Sequence, residues 1–527
     1  MPTEPDARAA GNPSTTQEGT MTYRLATTAA RHLPERAEVP ALTSGGTTRT
    51  YEQLEDRTDR LAAGLAGLGV GDGDRVGVLD KNSAETMEVV IAAAKLGAVA
   101  VPLNWRLAVP ELQQVIDDAS APVVVAHEEF GDAARSLQGP RAVLEVGGDA
   151  SYERLIADHE PLGSPVTGDD DTVVLQLYTS GTTGAPKGVM LDNRNLQALT
   201  KVGGAWGVDE TSVVLCAMPM FHIAGSGMTL IGLATGCHTV IVREVDPAAL
   251  LDLMVDERVT NTFLVPAVIQ MLCEVPGAAD RDLSALRSIA YGASPITPTA
   301  LRRAIEVLGR PLFQLYGLTE TTGAIVQLDA DDHDPDGPRS HLLNAAGRPY
   351  PWVELRIVDL EGNDLPTGES GEILVRSTQT TPGYFNRPDA TAEAIDADGW
   401  FHTGDIGHLD AGGYLYIDDR LKDMIITGGE NVYPTEVEAA LAEHPAVAEV
   451  AVIGVPDERW GETVKALVVT RAGHDVDEQE LLDHTRERIA GYKRPRELEI
   501  VDALPYSSTG KLLKRVLREP ASGDAPT

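Results

Sequence analysis

The feature that most limits the folds open to this chain is an alternation of helix and strand signals beginning near Arg49. Thr50 and Gln53 form a capping-box pattern, and Leu54, Leu61, Leu65 and Leu68 then mark one apolar face of a helix. After it the pattern gives a strand over 75–79, an alanine-rich helix over 84–96, a strand over 98–103, a helix over 111–119 and a strand over 122–126. Repeated units of this kind predict a mostly parallel sheet covered by helices. The same rhythm resumes from 172 to 316, so two layered α/β lobes of one large domain are expected.

Further along the character changes. Short segments such as 353–358 and 372–375, broken by Gly362, Gly368 and Gly371, predict a small barrel or distorted antiparallel sheet. A compact α+β domain is expected after it, with helices over 435–444 and 477–489, strands over 447–455 and 463–469, and a basic end. A chain of 527 residues is too long for a single core, which agrees with this division. The expected domains are therefore 21–421 and 422–518, with disordered tails at 1–20 and 519–527.

Composition excludes several classes. The net charge is −37, from 43 basic against 80 acidic residues, which argues against a nucleic-acid surface and for a soluble, self-repelling protein; a monomer or homodimer is expected. No apolar run reaches the ~18–20 residues that a transmembrane helix needs. The first twenty residues lack a basic start and an apolar segment, so they do not read as a secretory signal. Cys216, Cys237 and Cys273 sit in apolar runs without metal-ligand spacing and read as buried thiols of a reducing cytoplasm.

The chemistry concentrates at 178–189, which reads YTSGTTGAPKGV. The apolar, β-branched run before it predicts a strand, so the loop emerges from a sheet edge. Gly181, Gly184 and Gly188 permit close backbone approach, letting successive N–H groups bind an anion. Thr179, Ser180, Thr182 and Thr183 add hydroxyl donors, and Lys187 adds a compact positive charge suited to a triphosphate. The spacing is not that of the P-loop. Two further glycine turns, YGASP at 291–295 and YGLTET at 316–321, follow predicted strands, which is where open α/β sheets bind ligands. His222 lies in the apolar run AMPMFHIAG, where a lone histidine is either a packed core residue or a ligand contact.

Taken together these strings resemble the adenylate-forming superfamily, which includes acyl-CoA synthetases, peptide-synthetase adenylation domains and beetle luciferases. The likeness runs from about Tyr51 to Arg518, with five motifs in family order. It implies that the 178–189 loop holds the β- and γ-phosphates of ATP, that Tyr316 and Gly317 with Gly292, Ala293 and Ser294 surround adenine, and that Thr319 contacts phosphate. Glu320 would coordinate Mg²⁺, a hard cation that takes carboxylate oxygen. Asp405, in TGD, and Arg420 would hold the ribose. His222 would bind the substrate carboxylate or gate its tunnel, in a pocket shaped by Ala224, Gly225, Tyr291, Gly317 and Ala324. Lys422 would be the hinge of the small domain. Gly428 and Gly429 would pass the pantetheine arm of coenzyme A, and Trp460 would touch its nucleotide. Lys511 would reach over the α-phosphate during attack.

The resemblance implies an ATP-dependent ligase that activates a small carboxylic acid to acyl-AMP and passes the acyl group to coenzyme A. The string RLKDMIITGGENVYP is most similar to bacterial fatty acyl- and aryl-CoA ligases. An amine or other nitrogen nucleophile, or a carrier-protein thiol, is the alternative acceptor. A nucleotide-binding scaffold without turnover is disfavoured by the presence of Lys187, Glu320, Asp405 and Lys511 together. One departure is Asp192-Asn193, where many acyl-CoA synthetases carry Thr-His.

Overall fold

The computed structural model describes residues 23–166, 168–180, 186–294, 296–427, 430–457, 460–471, 473, 476–486, 488–506 and 512–518. The first helix, Tyr51–Gly67, starts as its capping box requires. Gln53 N–H donates to Thr50 Oγ1 at 3.2 Å, and Thr50 N–H donates to Gln53 Oε1 at 2.9 Å. Leu54, Leu61 and Leu65 are buried on one face. Helix Ala84–Lys95 is instead buried almost all round, Glu88 and Lys95 included, as a helix between layers must be. Its charges are paired: Glu88 with Arg49 and Arg57, Lys95 with Glu55 and Asp59.

That helix lies between two sheets. The first has six strands in the order Ala142–Val146, Val123–His127, Arg75–Leu79, Val99–Pro102, Val173–Ser180 and Pro186–Asp192. All its pairs are parallel except the last, a hairpin on the sheet edge. The second has nine strands, in the order Arg348–Pro349, Gly323–Leu328, Leu312–Leu318, Ser288–Gly292, Asn261–Leu264, Val213–Cys216, His238–Ile241, Pro40–Ser44 and Thr47–Thr50. It is parallel through its middle and antiparallel at both edges.

The two lobes expected from the helix–strand rhythm are therefore present, but their membership differs from chain order. Strands 173–192 complete the first sheet, and the strands at 40–50 join the second, by pairing with His238–Ile241. Local pattern reports that a strand exists, whereas the neighbour it pairs with is a long-range matter.

Val353–Val358, Gly371–Ser377, Phe401–Leu409 and Leu415–Arg420 form a four-stranded antiparallel meander. Beyond it, Glu430–Val432, Ile425–Thr427, Gly461–Thr470, Val447–Asp457 and Glu497–Ile500 build a five-stranded sheet. Helices Pro434–Ala442 and Glu478–Arg486 cover it around a core of its own, including Ile425, Val437, Leu441, Val452 and Leu481. A separate core is the mark of a separate folding unit. Among the described residues, no helix is long and apolar enough to cross a membrane.

Candidate active site

The arms of the loop expected to hold phosphate sit at the sheet edge, where Thr179 is paired with Lys187 across the hairpin. Gly181, Thr182, Thr183 and Gly184 lie outside the described residues, and of Ser180 only the backbone is described. Asp192, the departure noted above, has a local task. Its carboxylate accepts from Asn195 N–H at 2.8 Å and caps helix Asn193–Ala205.

Strands Ser288–Gly292 and Leu312–Leu318 run side by side, with Gly292 opposite Leu315. A Cβ on Gly292 would stand 2.3 Å from the Leu315 carbonyl oxygen, so only glycine permits this approach. Ala293 turns away at φ +65° and is exposed with Ser294. Strand Leu312–Leu318 carries Tyr316 and Gly317, then closes in the turn Thr319–Thr321. Gly317 is still tighter: a Cβ there would lie 1.9 Å from the Gly323 carbonyl oxygen.

Two side-chain contacts draw these ends toward other elements. Tyr316 donates its hydroxyl to Asp405 Oδ2 at 2.8 Å, joining the second sheet to the four-stranded meander. Asp405 is 2% exposed and stands opposite Arg420 in the ladder, which brings the two expected ribose residues together. Tyr384 donates its hydroxyl to Glu320 Oε1 at 2.9 Å, and Lys187 Nζ lies 4.9 Å from the centre of the Tyr384 ring. The backbone assists: Thr381 N–H donates to the Glu320 carbonyl at 2.7 Å. Tyr384 was not singled out in the sequence. It follows a turn glycine in a stretch without periodicity, and its partners are distant in the chain.

His222 precedes helix Ile223–Thr235. Its Nε2 is buried with no hydrogen-bond partner among the described residues, and its ring lies 4.3 Å from that of Phe221. Burial, with the positive charge of Arg106 second, pushes the imidazole down to about 4. The ring is therefore neutral at ordinary pH, with one polar atom unspent. Gly323 faces this helix, its Cβ position 3.5 Å from Ile223, so Ala324 lies close to the start of the His222 helix.

Two expectations for the acid pocket need correction. Tyr291 is fully buried, and its hydroxyl is taken up by Gln314 Oε1 at 3.1 Å and His333 Nε2 at 3.0 Å, so its side chain is a core strut, not a pocket wall. Gly225 does not leave free room, because its Cβ position lies 2.3 Å from the Met218 carbonyl oxygen. The small residue there serves backbone packing, while the half-buried Ala224 keeps its place beside His222.

In the C-terminal unit, Trp460 N–H donates to Asp457 Oδ1 at 2.8 Å, and the Arg496 guanidinium sits 4.7 Å from the centre of its ring. Lys422 falls in the turn Leu421–Asp423, with its side chain outside the description, as is that of Arg420. Just across this turn, Thr435 N–H donates to Asp419 Oδ2 at 3.0 Å, so a residue of the meander caps the first helix of the C-terminal unit. Gly428, Gly429 and Lys511 lie outside the described residues.

The donor set fits Mg²⁺. Glu320 is held by a neutral hydroxyl, and among the described residues no group of three or more His, Cys, Asp or Glu could hold a metal alone. A single carboxylate completed by phosphate oxygens is how Mg²⁺ is commonly bound.

Residues 28–385 match the family model of the AMP-binding enzyme, and 436–511 match that of the AMP-binding enzyme C-terminal domain. The chain is 41% identical over 485 residues to feruloyl-CoA synthase of Amycolatopsis sp, covering 91% of this chain and 95% of that protein. It is 38% identical over 509 residues to fatty acid–[acyl-carrier-protein] ligase ScoC of Streptomyces coeruleorubidus, covering 95% and 97%. Among solved structures, ATP-bound MatB from Rhodopseudomonas palustris superposes with a TM-score of 0.86 at 31% identity, covering 94% and 98%. On these matches the chain belongs to the AMP-binding enzyme family, within the adenylate-forming superfamily.

Proposed function

We propose that this protein is an AMP-forming acyl-CoA ligase acting on an aryl or medium-chain carboxylic acid. The observation that carries the reading is a set of three contacts that link the motif-bearing elements: Tyr316 on Asp405, Glu320 on Tyr384, and Lys187 on the same tyrosine. Relatives named for ferulate and for medium- and long-chain fatty acids support the substrate class. A cytoplasmic setting fits the three free, buried thiols.

In the first half-reaction the substrate carboxylate attacks the α-phosphorus of ATP, the bond to the β-phosphate breaks, and acyl-AMP and pyrophosphate form. Lys187 and the hydroxyls of its loop grip the departing phosphates, Asp405 and Arg420 hold the ribose, and Thr319 donates to phosphate. Glu320 would hold Mg²⁺, which supplies neutralising charge beside the polyphosphate when bound. His222, neutral and with its Nε2 unpaired, donates an N–H to the acid and fixes its direction of approach. Lys511 offsets the negative charge that builds as one anion attacks another.

In the second half-reaction the thiol of coenzyme A attacks the acyl carbon and AMP leaves, with loss of the thiol proton. The two steps need different groups in one place, so the C-terminal unit turns about Lys422, withdrawing Lys511 and bringing Gly428 and Gly429 to the adenylate. Its own core and the short connection at 421–423 suit such a motion. Trp460, backed by Arg496, then faces the CoA nucleotide.

A second acceptor, a carrier-protein thiol, is favoured by the 38% identity to an acyl-carrier-protein ligase over nearly the whole chain. One experiment decides both points: a panel of acids assayed by pyrophosphate release, followed by mass spectrometry with coenzyme A or an acyl carrier protein supplied. A CoA thioester supports the reading, a protein-bound acyl group alone favours the second acceptor, and no pyrophosphate with any acid refutes ligase activity.

A further inference from the structure

Tyr384 touches both charged groups of the polyphosphate end through different parts of one side chain. Its hydroxyl reaches Glu320 at 2.9 Å, and its ring face lies under the Lys187 ammonium at 4.9 Å. Among the described residues, Lys187 and Glu320 form no ion pair within 4.0 Å. The tyrosine is only 8% exposed and is strapped in place. Met190 N–H donates to the Gly383 carbonyl at 3.1 Å, and Phe385 N–H donates to the Gly188 carbonyl at 2.8 Å, both on the strand that carries Lys187. Thr381 completes the strap, donating its N–H to the Glu320 carbonyl and its hydroxyl to the Met190 carbonyl at 2.6 Å. Gly383 has φ +140°, and a Cβ there would meet Thr391 at 2.5 Å, so the turn that delivers Tyr384 requires glycine.

We propose that Tyr384 is a positioning residue for the metal–polyphosphate end of the nucleotide. Its hydroxyl occupies one oxygen of Glu320 and presents the other to a divalent cation, while its ring holds the Lys187 ammonium aside. The inference rests on the ligase reading above. A direct lysine–glutamate pair would satisfy both charges with each other; a phenol orients the carboxylate and leaves its charge in place.

Calorimetric titration of the full chain with ATP, with Mg²⁺ and with EDTA, tests this without turnover. In Tyr384→Phe the gain in ATP affinity that Mg²⁺ confers should shrink by about tenfold, the size of a hydrogen bond to a charged group. Tyr384→Leu should also weaken ATP binding in EDTA by roughly threefold, because the Lys187 ammonium loses its ring face. Thioester formation from supplied acyl-AMP reads the same folded chain without the β- and γ-phosphates. A loss in that step equal to the loss in adenylation would mark the residue as structural and overturn the proposal. An unchanged Mg²⁺ gain in Tyr384→Phe, with wild type binding ATP, overturns it while leaving the ligase reading intact. A wild-type chain that binds no ATP sinks both.

Discussion

Replacing Gly317 by alanine adds one methyl group where the structure has no space for it. Its Cβ would stand 1.9 Å from the Gly323 carbonyl oxygen, where real contacts stay beyond 3.0 Å. The strands must therefore part by about 1.1 Å, the difference of those two distances. Gly323 cannot simply rotate away, since its φ of +90° is already set by the turn that follows Glu320. The displacement falls between Tyr316, which reaches Asp405 at 2.8 Å, and Glu320, which Tyr384 holds at 2.9 Å. Moving a positioned group by ~1 Å costs on the order of a hundredfold in rate. The expected outcome for Gly317→Ala is thus a roughly hundredfold fall in kcat/KM for ATP in pyrophosphate exchange, most of it in KM, because binding groups are displaced. Exchange is measured with radiolabelled pyrophosphate across an ATP series, and thermal unfolding is followed alongside. Activity within threefold of wild type would refute the reasoning, for it would mean the strand pair opens at no cost to the site.

Gly204 provides the contrast: it lies in helix Asn193–Ala205 with nothing within 4 Å of its Cβ position, so Gly204→Ala should stabilise by about 0.5–1 kcal/mol. A lowered midpoint of thermal unfolding would contradict that. Lys511→Ala should abolish acyl-AMP formation yet leave thioester formation from supplied acyl-AMP; loss of both half-reactions would show that its assigned role is wrong. His222 titrates at about 4 against 6.5 for an unperturbed imidazole, so the folded state resists protonation. Stability owed to the neutral ring is complete above pH 6.5 and is lost as pH falls toward 4, by up to ~3 kcal/mol. Thermal unfolding midpoints of His222→Gln should accordingly fall less steeply than wild type between pH 6.5 and 4.5, and parallel slopes would disprove the burial argument.

Much of the site was legible because its parts are local. Gly292, Gly317 and Asp405 stand in short strings whose glycines and strand contexts declare a turn at a strand end, and the structure puts those turns side by side. Tyr384 was not legible, since its importance lies in contacts with Glu320 and Lys187, each far from it in the chain. Tyr291 and Gly225 misled for the converse reason. An aromatic or a glycine beside a pocket motif looks the same in sequence whether it meets a ligand or a neighbouring strand, and here each meets protein.

By itself the sequence determined the helices, most strands and the order of the motifs, because capping, periodicity and turn residues act over a few positions. Only the tertiary structure decided which sheet the 40–50 and 173–192 strands complete, that an aspartate of the meander caps a helix of the next unit, and that one tyrosine spans the lysine and the glutamate. Those outcomes depend on packing between segments distant in the chain or across a domain junction, and no local signal encodes the partner of a buried surface.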